Sequence, residues 1–267
     1  MGGLDRLLDV ALAAARAGGE VVAAHFGAPA DVREKAPGDW VSEADLASEA
    51  AVRSVLERTG IPVFGEEAGG VRAEEEWLVD PLDGTANFVH GLDAVGVSVA
   101  LVRDGAPVVG VVHAPLLGRT FWASAGGGAW RDGRRLEVSG RAPDQAIVAT
   151  GFPFRHKHLL PEYLAVFDAA LRRFEDVRRV GAASLDLCWT AEGVFDGFFE
   201  LRLGPWDVAA GALLVREAGG TVTDWDGDGA AWLHTGEILA GPAPVHAVLA
   251  AWAADRPRVP RGDGAGG

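Results

Sequence analysis

The stretch WLVDPLDGTANFVHG, residues 77–91, is the part of the chain around which the other segments are organised. Its first three residues are apolar and predict a short buried strand that ends at Asp80. Pro81 and Gly84 then bend the chain, and a second acid, Asp83, lies between them. Hard divalent cations such as Mg²⁺ prefer carboxylate ligands, often together with a phosphate group. The stretch therefore fits a metal site in a tight loop after a buried strand.

The same loop also has the features of an anion site. Gly84 and Thr85 are placed to present backbone N–H groups at the start of a short helix, where negative charge is stabilised. Two acids, a glycine and a hydroxyl in one loop therefore fit a combined metal and phosphate site. The spacing equally fits a polar turn with a solvated acid pair, so the loop alone leaves both interpretations open.

The overall charge of the chain limits the partners that it is expected to have. Of its 267 residues 49% are hydrophobic, which is ample for a buried core. Its 24 basic and 38 acidic residues give a net charge of −14, which repels nucleic acid and anionic lipid. We therefore expect no direct nucleic-acid partner and no membrane association. Bound cations are the simplest way to offset this field for a phosphorylated substrate.

The cysteine content and the N-terminal residues favour a soluble cytoplasmic protein. Cys188 is the single cysteine, so an intrachain disulfide and a cysteine-based zinc site are excluded. Residues 1–26 are apolar but carry several charges, and their uncharged runs fall far short of the ~20 residues that span a bilayer. They also lack the basic and then apolar order of a signal peptide.

Hydrophobic periodicity divides residues 1–255 into two halves, which form either one large domain, the expected arrangement, or two closely packed units. The first half, about residues 1–140, is predicted to contain two helices, a loop at 27–41 and then a meandering sheet. Ser42 and Asp45 form a capping-box pattern before the second helix. The second half, about residues 141–255, alternates strands and helices, which is typical of an α/β layer. Residues 256–267 are rich in Arg, Pro and Gly and are predicted to be disordered.

The individual elements follow from the same patterns. Asp104-Gly105 is a strong hairpin turn between two β-rich runs. The predicted helices span 4–26, 43–58, 163–174, 182–192 and 207–218, and the predicted strands span 94–103, 106–113, 146–150, 177–180, 197–201 and 221–224.

Two further segments bring acids that suit a metal site. Glu66 and Glu67 follow a short apolar segment, and Asp207 stands at the start of a very apolar helix in the second half. A carboxylate from the far half is what a cleft between two halves needs. Simpler interpretations stay open, because Glu66 and Glu67 also fit a solvated pair and Asp207 fits a helix cap.

The acids at 224–228 are a false signal for calcium. Asp224, Asp226 and Asp228 imitate the opening of an EF-hand loop, but Thr235 occupies the position that requires a glutamate. We therefore predict a polar turn there. The sequence also lacks a P-loop, a dinucleotide fingerprint and a nucleophile elbow.

Taken together, the segments resemble the signature segments of the inositol monophosphatase family. The resemblance rests on GEE at 65–67, WLVDPLDGTANFVHG at 77–91 and PWDVAAGALLVREAGG at 205–220, in the family's order. It extends through GFPF at 151–154, VGAASLDLCWTAEGVFDGFFE at 180–200 and ILAGPAPVHAVL at 238–249. It therefore covers about residues 4–253 and implies the family's fold, a mixed α+β and α/β sandwich with αβαβα layers.

The resemblance implies a role for each matching residue. Asp45 and Thr85 match the pair that orients the attacking water, and Glu66 joins them as a catalytic residue beside a third, weaker cation. Glu67 is expected to support Glu66, and Lys35 matches a lysine of a mobile loop. Two or three Mg²⁺ are implied, with the ligands Glu66, Asp80, the carbonyl of Leu82, Asp83 and Asp207. Phosphate and substrate contacts are implied for Asp83, Gly84, Thr85, Gly181, Ala183, Glu200 and Asp207.

The activity implied by the resemblance is Mg²⁺-dependent hydrolysis of a small polyol phosphate. Inositol 1-phosphate is the leading substrate, because a carboxylate at Glu200 is able to accept hydrogen bonds from ring hydroxyls. Lithium inhibition and a homodimer are implied as well. Relatives act on fructose 1,6-bisphosphate, histidinol phosphate, 3′-phosphoadenosine 5′-phosphate or NADP, and some bacterial ones resemble RNA-polymerase-associated factors. A related phosphatase activity, or a non-enzymatic role as a partner of the transcription machinery, therefore stays open.

Overall fold

The helices and strands of the chain are those of a computed structural model. Residues 3–27, 32–36 and 39–259 are described, with the backbone alone for 34–36 and 39. The helices are α1 (Gly3–His25), α2 (Glu43–Leu56), α3 (Thr85–Val89), α4 (Leu160–Arg173), α5 (Ala183–Ala191), α6 (Pro205–Glu217), α7 (Trp232–Thr235) and α8 (Ala243–Ala254). The strands are β1 (Arg33–Ala36), β2 (Asp39–Val41), β3 (Val63–Gly65), β4 (Glu75–Asp83), β5 (Gly96–Arg103), β6 (Ala106–Ala114), β7 (Arg119–Ser124), β8 (Gly128–Arg131), β9 (Arg134–Arg135), β10 (Ile147–Thr150), β11 (Asp176–Arg178), β12 (Gly197–Glu200), β13 (Thr221–Thr223) and β14 (Ile238–Gly241).

The first sheet is a meander that contains the strand of the stretch 77–91. Its strand order is β3-β4-β5-β6-β7-β8-β9, with β3 parallel to β4 and every later pair antiparallel. Helices α1 and α2 cover one face, where alanines of α1 and Val52 and Leu56 of α2 pack against Val97, Val99 and Val109. Both helices lie where their periodicity predicts them, because the apolar stripe of each faces this sheet.

The second sheet completes the layered sandwich. Its order is β11-β10-β12-β14-β13, with β10 parallel to both β11 and β12. Helices α5 and α6 lie in the core between the two sheets, and α4 and α8 cover the outer face. The layers therefore run αβαβα, which confirms the predicted fold class. Buried Cys188 lies on α5 in the central layer. None of the described helices is both long and apolar enough to cross a membrane.

Two predicted boundaries in the first half are wrong. Strand β4 does not end at Asp80 but continues to Asp83, because β5 still pairs with it there across a register shift between Asp80 and Asp83. The predicted loop at 27–41 contains the antiparallel hairpin β1–β2 instead. Lys35 belongs to β1, and its side chain lies outside the described residues.

The predicted disordered tail is wrong at its first residues. The side chain of Arg256 is fully buried; it donates to Glu162 at 2.9 Å and to the carbonyl of Trp225 at 3.0 Å. The backbone N–H of Val259 donates to Glu162 at 2.6 Å. A buried carboxylate needs a cation and donors, and the chain after α8 supplies them, so these residues are packed. Residues 260–267 lie outside the described residues.

Replacing Arg256 with alanine is expected to lower the free energy of unfolding by about 3–5 kcal/mol, because it removes the cation that neutralises buried Glu162. The matched control is Arg258→Ala, since Arg258 pairs with Asp226 on the surface and exposed pairs contribute about 0–1 kcal/mol. Urea denaturation of both variants measures the difference. Equal losses in the two variants would contradict the buried-pair explanation.

Candidate active site

Carboxylates from three elements meet at one point between the two sheets. Glu66 directly follows β3, which runs parallel to β4, and the N–H of Glu66 donates to the carbonyl of Val79 at 3.0 Å, so Glu66 lies beside Asp80. Asp80 pairs with Ser98 of β5, and the hydroxyl of Ser98 donates at 3.0 Å to the carbonyl of the residue before Asp207. One ligand oxygen of each acid, Glu66, Asp80 and Asp207, lies within 4.8 Å of the others.

Burial and mutual repulsion shift the pKa values of these acids. Burial raises the pKa of Asp80 well above its usual value, and the nearby charges of Glu66, Asp83 and Asp207 raise it further. Burial and Asp207 raise the pKa of Asp83 to about 7, against hydrogen bonds from the N–H and hydroxyl of Ser184 at 2.7 and 2.5 Å. Buried like charges are costly unless a cation lies among them, so this donor set fits a hard divalent ion.

Thr85 and Asp45 are joined by a side-chain hydrogen bond. The Oγ1 of Thr85 lies 2.9 Å from Oδ1 of Asp45 and 3.1 Å from the carbonyl oxygen of Leu82. The other oxygen of Asp45 accepts from the N–H and hydroxyl of Ser42 at 2.8 and 2.6 Å, so the capping box also aims the carboxylate. Burial raises the pKa of Asp45, while the hydrogen bonds from Ser42 and Thr85 oppose that rise. Because a hydroxyl donates one hydrogen, Thr85 keeps lone pairs for a further partner.

Glu49, which no motif indicated, positions the turn that carries Glu66. Its carboxylate is buried and accepts from the N–H of Glu67 at 2.9 Å and of Ala68 at 3.2 Å, and Arg53 donates to it at 2.7 Å. A Cβ at position 65 would overlap this carboxylate, so a side chain at that position would require the Glu49 carboxylate to move. The backbone N–H of Glu67 thus links this turn to Glu49, and support of Glu66 by the Glu67 side chain stays a prediction.

The substrate side of the site is tied to the metal side by side-chain hydrogen bonds. Asn87 of α3 donates to the carbonyls of Ala94 at 2.8 Å and Val180 at 3.1 Å, which holds the turn at 180–184 beside the central loop. Gly181 in this turn has a φ of +92°, a left-handed conformation that favours glycine. Glu200 ends β12, and a Cβ at position 151 would overlap its carboxylate.

The structure brings the predicted site residues together in one cleft, with one exception. Asp45 lies behind Thr85, to which it is hydrogen bonded. The cleft is lined by the other predicted residues, Glu66, Asp80, Leu82, Asp83, Gly84, Thr85, Gly181, Ala183, Glu200 and Asp207.

Several residues of the cleft were not predicted from the sequence. The pKa of Glu200 is raised to about 8 by burial and by the charge of Asp207, and Arg179 opposes this rise. The basic pair Arg178-Arg179, which comes just before Gly181, is a sequence signal that could have indicated a positive charge in the cleft beside Glu200. The unpredicted lining residues include Trp40, Phe152, Phe154, Arg155, His156, Arg179 and Arg202.

Comparison with known protein families identifies the family of this chain. The sequence profile described as the inositol monophosphatase family matches residues 3–257. The chain therefore belongs to the inositol monophosphatase family, as its motifs predicted.

Individual relatives are similar over nearly their whole length. The Nus factor SuhB of Escherichia coli (strain K12) is 41% identical over 254 residues, covering 91% of this chain and 94% of the relative. The extragenic suppressor protein suhB from Bartonella henselae superposes with a TM-score of 0.87 at 35% identity, covering 93% of this chain and 98% of that one. The inositol monophosphatase from Anabaena superposes with a TM-score of 0.85 at 34% identity, covering 96% and 98%.

Proposed function

We propose that this protein is a Mg²⁺-dependent phosphomonoesterase of small polyol phosphates, with inositol 1-phosphate as its leading substrate. The observation that carries the proposal is the meeting of Glu66, Asp80 and Asp207 within 4.8 Å, beside the hydrogen-bonded pair Thr85 and Asp45. Metal ligands alone would also suit a cation buffer. An oriented hydroxyl at the same place suits hydrolysis.

The metal ligands proposed from the family pattern fit the donors present. Glu66, Asp80 and the Leu82 carbonyl would hold one Mg²⁺, and Asp80, Asp83 and Asp207 a second. Asp83 has its Oδ2 engaged by Ser184, which leaves Oδ1 for an ion. Bound Mg²⁺ would supply positive charge to the phosphate and to the departing oxygen. A third, weaker cation is proposed near Glu66, and a labile second cation site is the proposed basis of lithium sensitivity.

The protein's own groups would hold the attacking water and bind the substrate. Thr85 Oγ1, with its hydrogen directed to Asp45 or to the Leu82 carbonyl, would hold the attacking water by a lone pair. The backbone N–H groups of Gly84 and Thr85 would bind the phosphate oxygens, and Glu200, with the backbone at Gly181 and Ala183, would bind the polyol hydroxyls. Such positioning is where most of the rate of phosphoryl transfer arises, and a covalent enzyme intermediate is not needed.

Replacing Thr85 with valine is expected to lower kcat by about a hundredfold, because a general acid–base or water-orienting group contributes about 10²–10⁴-fold. Backbone contacts to phosphate are retained, so KM should change much less. Thr85→Ser is the matched variant, since it keeps the hydroxyl and should keep most of kcat. Steady-state kinetics on inositol 1-phosphate provide the measurement, and a Thr85→Val enzyme with undiminished kcat would contradict the assigned role.

Phosphate release from a panel of esters tests the proposed activity. The panel holds inositol 1-phosphate, fructose 1,6-bisphosphate, histidinol phosphate and 3′-phosphoadenosine 5′-phosphate, each with and without Mg²⁺. We expect Mg²⁺-dependent release from inositol 1-phosphate. Release from histidinol phosphate with none from inositol 1-phosphate would overturn the substrate assignment, and no release from any ester would overturn the enzymatic proposal. Light scattering of the purified protein tests the proposed homodimer.

A second candidate function is a non-enzymatic role as a partner of the transcription machinery. It is favoured by the relatives named Nus factor SuhB, and that name is in tension with the expected lack of a nucleic-acid partner. Contact with a protein of that machinery, rather than with nucleic acid, would be compatible with a net charge of −14. A deletion phenotype rescued by a catalytically inactive variant would favour this role.

A further inference from the structure

One side of the cleft is basic in a chain that is otherwise acidic. Arg155 and His156 follow β10, Arg179 follows β11 and Arg202 follows β12, and all four line the cleft. These three strands are parallel neighbours, so their carboxyl ends meet at one edge of the second sheet. We call the three arginines the basic wall. The metal-site acids come from the first sheet and α6, so the cleft has two differently charged sides.

Two arginines of the basic wall, Arg179 and Arg202, form no direct salt bridge within the described part of the chain, although the charge of Arg179 is near enough to Glu200 to lower its pKa. Several arginines elsewhere pair with acids, as Arg141 does with Asp196 at 2.7 Å. Neither Arg179 nor Arg202 forms such a salt bridge with a described residue. An anion from outside the chain is the natural partner for both side chains.

The position of Arg179 is fixed by aromatic packing. Its guanidinium lies 5.9 Å from the ring centroid of Phe152 and 5.5 Å from that of Phe154. It also packs against Gly181, where a Cβ would overlap it. A guanidinium held in this way loses little further freedom when it binds a phosphate or carboxylate.

Arg202 lies at the cleft in an unfavourable backbone conformation. Its φ of +64° is left-handed, a region in which glycine or asparagine is favoured over arginine. The next N–H, of Leu203, donates to the carbonyl of Gly236 at 2.9 Å, and Trp225 donates to the carbonyl of Glu200 at 2.9 Å, so the chain on both sides is tied down. Residues with strained backbones cluster at functional sites. Here the strained residue is an arginine whose side chain lines the cleft.

We propose that the basic wall binds a second anionic group of the substrate, so that the preferred substrate is a phosphate ester with a further phosphate or carboxylate at its far end. This inference rests on the proposed function, in which the scissile phosphate occupies the acid side. The phosphate of inositol 1-phosphate would bind at the metal-site acids and its hydroxyls at Glu200, but the molecule has no second anion for the basic wall. The ammonium group of histidinol phosphate is disfavoured there, since it meets Arg179 and Arg202.

Turnover of three esters with the same scissile group tests the preference. The esters are glucose 1-phosphate, glucuronate 1-phosphate and glucose 1,6-bisphosphate, all measured at the 1-phosphate. We expect kcat/KM for the bisphosphate to exceed that for glucose 1-phosphate by at least about tenfold, since charge-assisted bonds to phosphate are among the stronger ones. The glucuronate ester shows whether a carboxylate suffices. The ratio should fall toward one in Arg179→Gln and in Arg202→Asn, which tolerates the left-handed φ.

Arg103→Gln is the matched control, because Arg103 pairs with Glu75 on the surface at the end of β5. It should keep the wild-type ratio of kcat/KM values. A wild-type ratio near one for both doubly anionic esters, or a ratio unchanged in the two cleft variants, would overturn the proposal.

A binding measurement separates this inference from the proposed function. Calorimetric titration of metal-stripped protein with glucose 6-phosphate, against glucose as control, needs no catalysis. Binding of glucose 6-phosphate that is lost in Arg179→Gln and Arg202→Asn supports the basic wall even when no ester is hydrolysed. Turnover of inositol 1-phosphate with no glucose 6-phosphate binding overturns the inference alone. Binding of an acidic peptide but of neither small anion would overturn it in favour of a protein partner.

Discussion

Replacing Asp83 with asparagine is expected to lower kcat by at least about a thousandfold, because charge stabilisation by bound metal is worth several kcal/mol and each 1.36 kcal/mol is tenfold in rate. Asp83 lies on the acid side of the cleft with one oxygen engaged by Ser184. The neutral amide is a poorer Mg²⁺ ligand, and it removes one charge from the cluster around Asp80 and Asp207. Kinetics on inositol 1-phosphate at saturating Mg²⁺ measure the loss.

The fold of this variant should survive, because the change relieves repulsion among buried acids. Asp104→Asn is the matched control: it makes the same chemical change at an exposed hairpin turn whose φ of +51° asparagine tolerates. It should keep full activity. A folded Asp83→Asn protein with near-wild-type kcat would contradict the metal assignment. Rescue of a deletion phenotype by Asp83→Asn would show that the biological role does not need turnover.

The metal-free protein is expected to lose stability as pH rises from about 4 to about 7, and Mg²⁺ is expected to restore it. The pKa of Asp83 is 3.8 in its ordinary state and about 7 in the fold, so the folded state binds more protons between these values. Stability then falls as pH rises through this window, and the destabilisation is complete above the folded pKa. The pKa of Asp80 is shifted in the same direction.

Thermal unfolding at about pH 5 and about pH 8, with excess Mg²⁺ or with EDTA, measures this effect. At a hundred times its Kd a ligand stabilises by about 2.7 kcal/mol. The gain in Tm from Mg²⁺ should be larger at the higher pH, because protons compete with the metal at the lower one. Asp83→Asn should show a weaker dependence on pH in EDTA. A metal-free wild-type protein that becomes more stable between these pH values would contradict the mutual repulsion of the buried acids.

Local patterns predicted those elements whose signals are local. The capping box at Ser42 and Asp45 and the hairpin turn at Asp104-Gly105 lie where the sequence indicates them, because each depends on neighbouring residues. The continuation of β4 to Asp83 was missed, because proline suggested an end while β5 supplied a partner. The packed start of the tail was missed because Arg256 finds Glu162, which is 94 residues away in the chain.

In the candidate site, too, local motifs were predicted and contacts between distant residues were not. The motifs identified the acids and Thr85, but the role of Ser184 beside Asp83 and that of Glu49 behind Glu67 depend on contacts across 101 and 18 residues. The basic wall carried almost no sequence signal, since Arg155, Arg179 and Arg202 occur in three separate segments. Only the parallel order of β10, β11 and β12 brings their ends to one edge.

The amino-acid sequence by itself determined which residues are able to bind a cation or orient a water, because ligand chemistry belongs to the side chain and motif order belongs to the family. The tertiary structure decided how these residues meet. It turned the loop at 77–91 from an open choice between polar turn and metal site into a cluster of acids within 4.8 Å, beside Thr85 and Asp45. The distances between these residues, their burial and the repulsion between neighbouring acids exist only after the chain has packed, so the fold decides these properties.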